Sequence, residues 1–513
     1  MKVTLWALKG AVAATLVAVP AYAQSLRQPA SVQNTAYDYE YHSYYAQDDA
    51  TPSPSDQVAP ETEEEAPATH DAAPGCAAEP ACGCDTGYCD TGCCDSGCGC
   101  GDGWLHLGGL LDPCCTLGEP CGWFDDCCWL ESRGMKMYGW IGQSFTWNTT
   151  NPQDRFNGPV TMTDRSNEWQ LNQLYLITEK ETVSECGEWD LGGRVDFLYG
   201  TDNRFTTAAG LETEGFYQDP KWTSYRFYGL AMPQLYAEVR KGDFSAKIGH
   251  FYSPVGNEVV PMTGNFFPSL PYTFTYGEPF THTGVLANYD VSEDTYFGGG
   301  VTRGWDNWGG GELYRNPHMG GLGTFGTKVG EGNVAFVWVF GPEATLAGNF
   351  ENRFLQTFVY SRDLEDNWSM ILQSDFGFQN DGVNNGTAAQ NGDAYWYGVN
   401  GYLFKKISDC WTWGMRAEWF RDQDGARVGG YMGQMPNGSD RGLPNGRFGY
   451  AGNFYEISIG ANYRPNANWN IRPYVRFDWF DGEETFNNTD GKPFDDGNGN
   501  SQTLIGFDAI YTY

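Results

Sequence analysis

Beyond residue 180 this sequence carries charged side chains at every second position of several stretches. Asp190, Arg194 and Asp196 share one phase, as do Glu238 and Arg240; Lys247 follows, and then come Arg416 with Glu418 and Arg472 with Arg476 and Asp478. Both signs occur on one face with no nucleophile beside them, so they do not form a catalytic constellation. Across a water-filled passage, facing acids and bases would create a transverse field that sorts solutes by charge and dipole. The plainer reading is that each is a solvated or ion-paired residue. Enzyme signatures are missing: there is no G-x-S-x-G, H-E-x-x-H or Walker pattern. Of six His, His42 and His70 lie in a linker-like stretch, and His250 and His282 flank a long connection without making a site by themselves. Asp496-Gly497-Asn498-Gly499-Asn500 begins like a calcium loop, but Ser501 stands where Gly is needed and Phe507 where the closing Glu belongs. No catalytic residue, metal or cofactor is expected.

Cysteine supplies the other chemistry. Of 15 Cys, all but Cys186 and Cys410 lie between Cys76 and Cys128. A period-five repeat runs through them: Cys84-Asp85-Thr86-Gly87, Cys89-Asp90-Thr91-Gly92, Cys94-Asp95-Ser96-Gly97. So much Gly prevents a packed core, so cross-links or metal must hold any shape. Zinc sites show paired C-x₂₋₄-C groups separated by a spacer of about 12–20 residues. Here the Cys are crowded and only His70 and His106 are near. Disulfides are the leading reading in an exported chain, with metal and thiols as alternatives. The disulfide candidates are Cys84, Cys89, Cys94, Cys186 and Cys410. An odd total leaves at least one thiol unpaired or bonded to another chain, which admits a disulfide partner in the envelope.

The elements that position these residues have a period of two. Trp189, Leu191, Val195, Phe197 and Tyr199 oppose Asp190, Arg194 and Asp196; Trp411, Trp413, Met415 and Trp419 oppose Arg416 and Glu418; Trp469, Ile471, Val475, Phe477 and Trp479 oppose Arg472, Arg476 and Asp478. These are strand patterns. Sixteen strands are predicted, near 135–148, 168–178, 189–199, 233–241, 243–250, 282–289, 295–303, 319–327, 333–341, 353–362, 367–377, 394–404, 411–421, 453–463, 469–479 and 502–513. The second is less clean, because Leu174 and Leu176 fall on its polar face. At ~3.3 Å per residue and ~45° tilt, ten residues rise about 23 Å, close to a hydrocarbon thickness. Connections after even-numbered strands are short and those after odd-numbered strands mostly long, the layout of an outer-membrane barrel. The fold class expected is therefore an all-β, antiparallel, up-and-down transmembrane barrel of about 16 strands. Trp189, Trp368, Trp411 and Trp469 follow short turns, as a periplasmic aromatic girdle would.

Composition agrees. The 513 residues carry a formal charge of −34, so phosphate backbones are poor partners and no nucleic acid is expected. A mean hydropathy of −0.49 with no second long apolar run excludes a multi-span helical membrane protein. Residues 1–23 read as a signal peptide: Lys2 and Lys9, an apolar run from Gly10 to Val19, then Ala21-Tyr22-Ala23. Residues 24–75 are an acidic, Pro/Ala-rich disordered linker and 76–130 the Cys-rich segment, leaving 131–513 for the barrel. Together 24–130 carry 19 Asp+Glu and one Arg. The last strand places Ile505, Phe507, Ala509, Tyr511 and the terminal Tyr513 on one face, resembling the signal read by the barrel-assembly machinery.

Gly249-His250-Phe251 with Pro254, Gly256 and Glu258, then Pro279-Phe280-Thr281-His282-Thr283-Gly284, then Arg416-Ala417-Glu418-Trp419-Phe420-Arg421-Asp422 with Gly425, resemble the OmpL-like putative β-barrel porin-2 family. The resemblance covers residues 135–513 and implies a large barrel in outer-membrane lipid with pore activity and no characterised substrate. The Cys-rich segment lies outside it. By analogy, sixteen-stranded porins commonly form homotrimers. The 251–281 connection is the third long loop, rich in Pro and aromatics. In general porins that loop folds inward as the constriction, with Glu258 as its acidic element here; packing on the rim is the alternative. In this topology Cys186 and Cys410 sit in short turns facing the periplasm, on the same side as the amino-terminal segment.

Overall fold

Alternation gives every strand one face for lipid and one for an interior. Rolling the sheet shut satisfies both faces and removes the unpaired edges an open sheet would expose. The protein is described by a computed structural model over residues 117–513, apart from 118–119, 121, 126, 184–186, 215–218, 226, 310–315, 346–348, 366, 384–391, 430–448 and 483–491. The expected signal peptide, linker and Cys repeat, with Cys84, Cys89, Cys94 and Cys186, lie outside the described residues.

Sixteen long strands form the wall: β1 Lys136–Asn148, β2 Glu168–Lys180, β3 Asp190–Gly200, β4 Tyr228–Lys241, β5 Phe244–Tyr252, β6 Thr281–Ser292, β7 Thr295–Thr302, β8 Gly320–Val329, β9 Gly332–Ala344, β10 Phe350–Asp363, β11 Trp368–Val383, β12 Gly392–Lys406, β13 Trp411–Asp422, β14 Gly452–Asn466, β15 Trp469–Gly482 and β16 Ser501–Thr512. Each pairs antiparallel with its sequence neighbours. β16 returns to β1, from Trp140↔Thr512 to Asn148↔Leu504, and closes the barrel. Tyr513 finishes the seam: its N–H and C=O both bond Gly139, and its hydroxyl donates to the Tyr175 carbonyl at 2.9 Å. Its ring stacks on Trp123, with centroids 4.1 Å apart.

The uneven phase of β2 has a local cause. Gly142 pairs with Gln173 but Gln143 with Leu171, so Asn172 is an extra residue. This bulge moves the interior phase from Gln170 and Asn172 to Gln173, Tyr175 and Ile177, and turns Leu174 and Leu176 outward. A second register shift lies between Asp196 and Leu198, opposite Pro233, which has no N–H to give the ladder. β4 therefore begins at Tyr228, five residues before the sequence expectation of 233. Short turns use left-handed glycine, as at Gly242 (φ 54°) and Gly330 (φ 63°).

Outside, Trp189, Trp368 and Trp469 lie exposed at the short-turn end. A second set, Trp147, Trp169, Trp419 and Trp479, lies exposed at the long-loop end and was not anticipated from the sequence. Trp469 and Trp479 bracket one strand, and ten residues at ~45° tilt separate the two levels by about 23 Å. Amphipathic rings at both levels match the two headgroup regions of a bilayer.

Candidate functional site: the barrel interior and its third loop

The loop between β5 and β6, residues 253–280, runs inside the barrel. Backbone placed there needs hydrogen-bond partners, and the charged side chains singled out in the sequence supply them. Glu418 accepts from the Tyr272 N–H at 2.7 Å and from the Thr273 N–H at 2.6 Å. Arg476 donates to the Leu270 carbonyl at 2.7 Å. Arg472 donates to the carbonyls of Met262, at 2.9 Å, and Asn265. Asp478 accepts from the Tyr272 hydroxyl at 2.7 Å. Arg416 donates to Glu258 of the loop at 3.3 Å. Trp396 of β12 donates from its ring to the Gly277 carbonyl, and Gln373 of β11 accepts from the Asn257 N–H. Hydrogen bonds to charged groups are each worth about 1.5–3 kcal/mol, so this sector holds the loop by many directional contacts.

The same residues are paired with one another. Arg472 bonds Asp508, directly opposite on β16, at 2.8 Å. Arg416 bonds Glu456 at 2.9 Å and Arg476 bonds Asp478 at 2.9 Å. Arg194 bonds Asp196 at 2.7 Å and Glu179 at 3.3 Å, and Asp196 also accepts from the Tyr175 hydroxyl and from Gln234. Lys247 lies 3.7 Å from Glu238, which accepts from Thr182. Asp190 meets Lys180 at 3.1 Å near the short-turn end, and Arg240 is half-buried. Glu456 and Asp508 are absent from the sequence-stretch candidates. Both lie on the interior phase of strands already recognised, and the structure sets Asp508 against Arg472.

Apolar residues of the loop seat against the rest of the wall. Val255, Tyr272 and Tyr276 pack into one buried cluster with Leu286, Leu322, Val337, Val339 and Leu355 of β6 and β8–β10. Phe266 and Phe267 join Val359, Ile371, Tyr402 and Phe404. Val260, Met262, Leu270 and Phe274 join Trp140, Tyr175 and Leu198. Other loops brace it: the Tyr276 hydroxyl donates to the Pro159 carbonyl at 2.8 Å, and Arg427 donates to the Tyr276 carbonyl. Arg427 lies between Trp305 and Trp396, and burial with the nearby Arg353 lowers its guanidinium to about 9. A cavity of about 10 Å³, bordered by Ser144, Gln173, Val260, Phe267 and Asp508, has room for about one water.

Three of the loop carboxyls that are shifted upward lie on or beside the third loop. Burial raises Glu258, with Arg416 opposing it. Burial, then the neighbouring Asp375 carboxylate, holds Glu278 well above the usual carboxylate range. Burial pushes Asp306 to about 6, against the backbone N–H groups of Thr281 and Phe280 that it accepts from. The two His brace the loop's ends. His250 stacks on Trp308 with centroids 4.1 Å apart and meets the Thr283 hydroxyl at 2.8 Å; His282 meets the Ser253 hydroxyl and the Gly304 carbonyl. Asp496, in the sequence that begins like a calcium loop, accepts from the N–H groups of Gln153 and Asp154 and so joins two loops.

A closed sixteen-stranded barrel with a lipid-facing exterior and an inward third loop is the architecture of a bacterial outer-membrane porin. The chain belongs to the putative beta-barrel porin-2, OmpL-like family, whose model matches residues 134–513. No curated protein matches it. Among solved structures it is similar to the outer membrane channel DcaP of Acinetobacter baumannii (14% identity, 74% of this chain and 97% of that one, TM-score 0.46). It is also similar to OprB of Pseudomonas putida (10%, 76% and 97%, 0.47) and to an anion-selective porin from Comamonas acidovorans (8%, 74% and 99%, 0.46).

Proposed function

We propose that this porin passes small hydrophilic solutes or ions by passive diffusion, with the 253–280 loop as its constriction and Glu258 as an acidic element of it. The observation that carries the proposal is the course of that loop, bonded to Gln373, Arg416, Glu418, Arg472 and Arg476 of the interior wall. Asp190, Glu238, Arg240 and Lys247, on β3 to β5, would line the approach from the short-turn end, with the buried pair Arg194 and Asp196 behind them. Deleting 258–275 should raise single-channel conductance in planar bilayers; unchanged conductance overturns the constriction. Homotrimeric assembly is part of the proposal, checked by mass measurement in detergent, as is recognition of Tyr513 by the barrel-assembly machinery.

A second reading is a barrel tethered to the envelope through its Cys-rich segment, the short turns and residues 24–130 being periplasmic. Cys410, in the β12–β13 turn, is buried, at 1% exposure. Its carbonyl accepts from the Arg464 N–H near the end of β14, and in the short turn that follows Ala467 donates to the Leu117 carbonyl at 3.0 Å. The chain next to Cys114 and Cys115 therefore reaches this rim. Non-reducing peptide mapping should join Cys410 to a cysteine of 76–121; a free Cys410 thiol rejects the tether. Labelling of Cys410 from outside the cell overturns the orientation.

A further inference from the structure

The neck of the third loop is gathered at one point on the wall. Gln373 of β11 accepts the Asn257 N–H at 2.9 Å through its amide oxygen. Its amide nitrogen donates both to Glu278 on the returning limb, at 2.5 Å, and to Asp375 two residues along β11, at 3.0 Å. Gly256 (φ 83°) lies so close that a Cβ there would stand 2.1 Å from Glu278 Oε2. One amide thus holds both limbs and brings two carboxyl groups into hydrogen-bonding contact. Glu278 Oε2 and Asp375 Oδ2 are both buried, and neither has a donor. Two carboxyl groups in hydrogen-bonding contact, each with a buried oxygen that lacks a donor, are satisfied together by one shared proton, and without it two like charges stand side by side in a buried place.

We propose that this clasp is a proton-operated latch: Glu278 and Asp375 share one proton while the loop is docked, and losing it frees the neck and widens the passage. The inference rests on the constriction reading above. The other charged group facing the clasp is Glu258 of the same loop, with its partner Arg416 on β13; Asp306 of the next long loop holds Phe280 and Thr281 just past Glu278. Glu258 adds negative charge and favours the protonated clasp, while Arg416 compensates it. Because burial and Asp375 raise Glu278 in the docked state, docking binds the proton more tightly than release does. Docking is therefore strongest at and below the ordinary carboxylate range and weakens as pH rises above it.

The test is single-channel conductance of the full-length protein from about pH 5 to about pH 9, for wild type, E278Q and D375N. Hydrogen exchange of residues 253–280 is followed in parallel, corrected for its intrinsic pH dependence. Wild type should gain conductance severalfold and lose loop protection as pH rises. E278Q, whose amide stays neutral and can donate to Asp375, should remain low-conducting and protected throughout, and D375N likewise. Channels whose conductance and protection do not change with pH, or variants that follow wild type, overturn the latch and leave the pore reading standing. Protection that falls with pH only in wild type, without channels, keeps the latch and overturns the pore reading.

Discussion

The two halves of the interior wall hold one loop by opposite means. From β6 to β10 the inward side chains are chiefly small or aliphatic, apart from the Glu343–Arg353 pair: Leu286, Leu322, Val337, Val339 and Leu355, with Gly298 and Gly300 in β7 and Gly320 and Gly326 in β8. From β11 to β16 they include Gln373, Asp375, Arg416, Glu418, Glu456, Arg472, Arg476, Asp478 and Asp508, interleaved with aromatic and aliphatic residues such as Ile371, Tyr402 and Phe404. The aliphatic half offers area and fits any apolar ring of the right size. The charged half offers donors and acceptors at fixed points and specifies where each loop carbonyl and N–H must sit. A loop crossing an interior needs both, because its side chains want apolar contact while its backbone must still be hydrogen-bonded.

The largest effect should come from breaking one member of the charged half. Arg472→Met leaves Asp508 buried without its cation and two loop carbonyls without a donor, and should cost about 3–5 kcal/mol in urea unfolding from detergent. The double variant Arg472→Met/Asp508→Leu imitates the aliphatic half and should regain much of that loss, though not the contacts to Met262 and Asn265. A double variant as unstable as the single one would mean that the pair itself, rather than the stranded charge, carries the stability. Next, Leu355→Ala in the aliphatic half should cost about 2–5 kcal/mol by leaving a cavity. Its loop should keep the same exchange protection at Tyr272 and Thr273; loss of protection there would show that the two halves are not independent. The smallest effect concerns Asp306, a carboxylate at the edge of the aliphatic half. Its value is raised to about 6 in the folded chain, so its contribution is strongest at low pH and is lost as pH rises through about 6. Thermal midpoints of wild type should fall across that window, and those of Asp306→Asn should fall by less, the difference being of the order of 1 kcal/mol.

Much of this was legible locally. Strand number and phase follow from period-two alternation, as at Trp411 to Trp419 against Thr412 to Glu418; the pairing of Arg472 with Asp508 does not, because a long loop separates their strands and leaves the register open. The Asn172 bulge was visible only as disorder in a pattern, since an inserted residue reverses phase without any signal of its own. Glu278, Gln373 and Asp375 left no trace as a group. They are up to 97 positions apart in a chain of 513, and nothing in the spacing of one loop residue and two strand residues indicates that they meet.

The sequence by itself determined a closed sheet with an aromatic exterior, because the side-chain period of a strand is a property of neighbouring residues. It also determined which residues of the regular strands face inward, though not those on either side of the Asn172 bulge. Only the tertiary structure decided that those inward charges are anchors for a loop, bonded to its backbone and to each other, since that depends on where a loop of about thirty residues travels. Its path is selected by contacts with strands far along the chain, and contacts of that kind have no period to read.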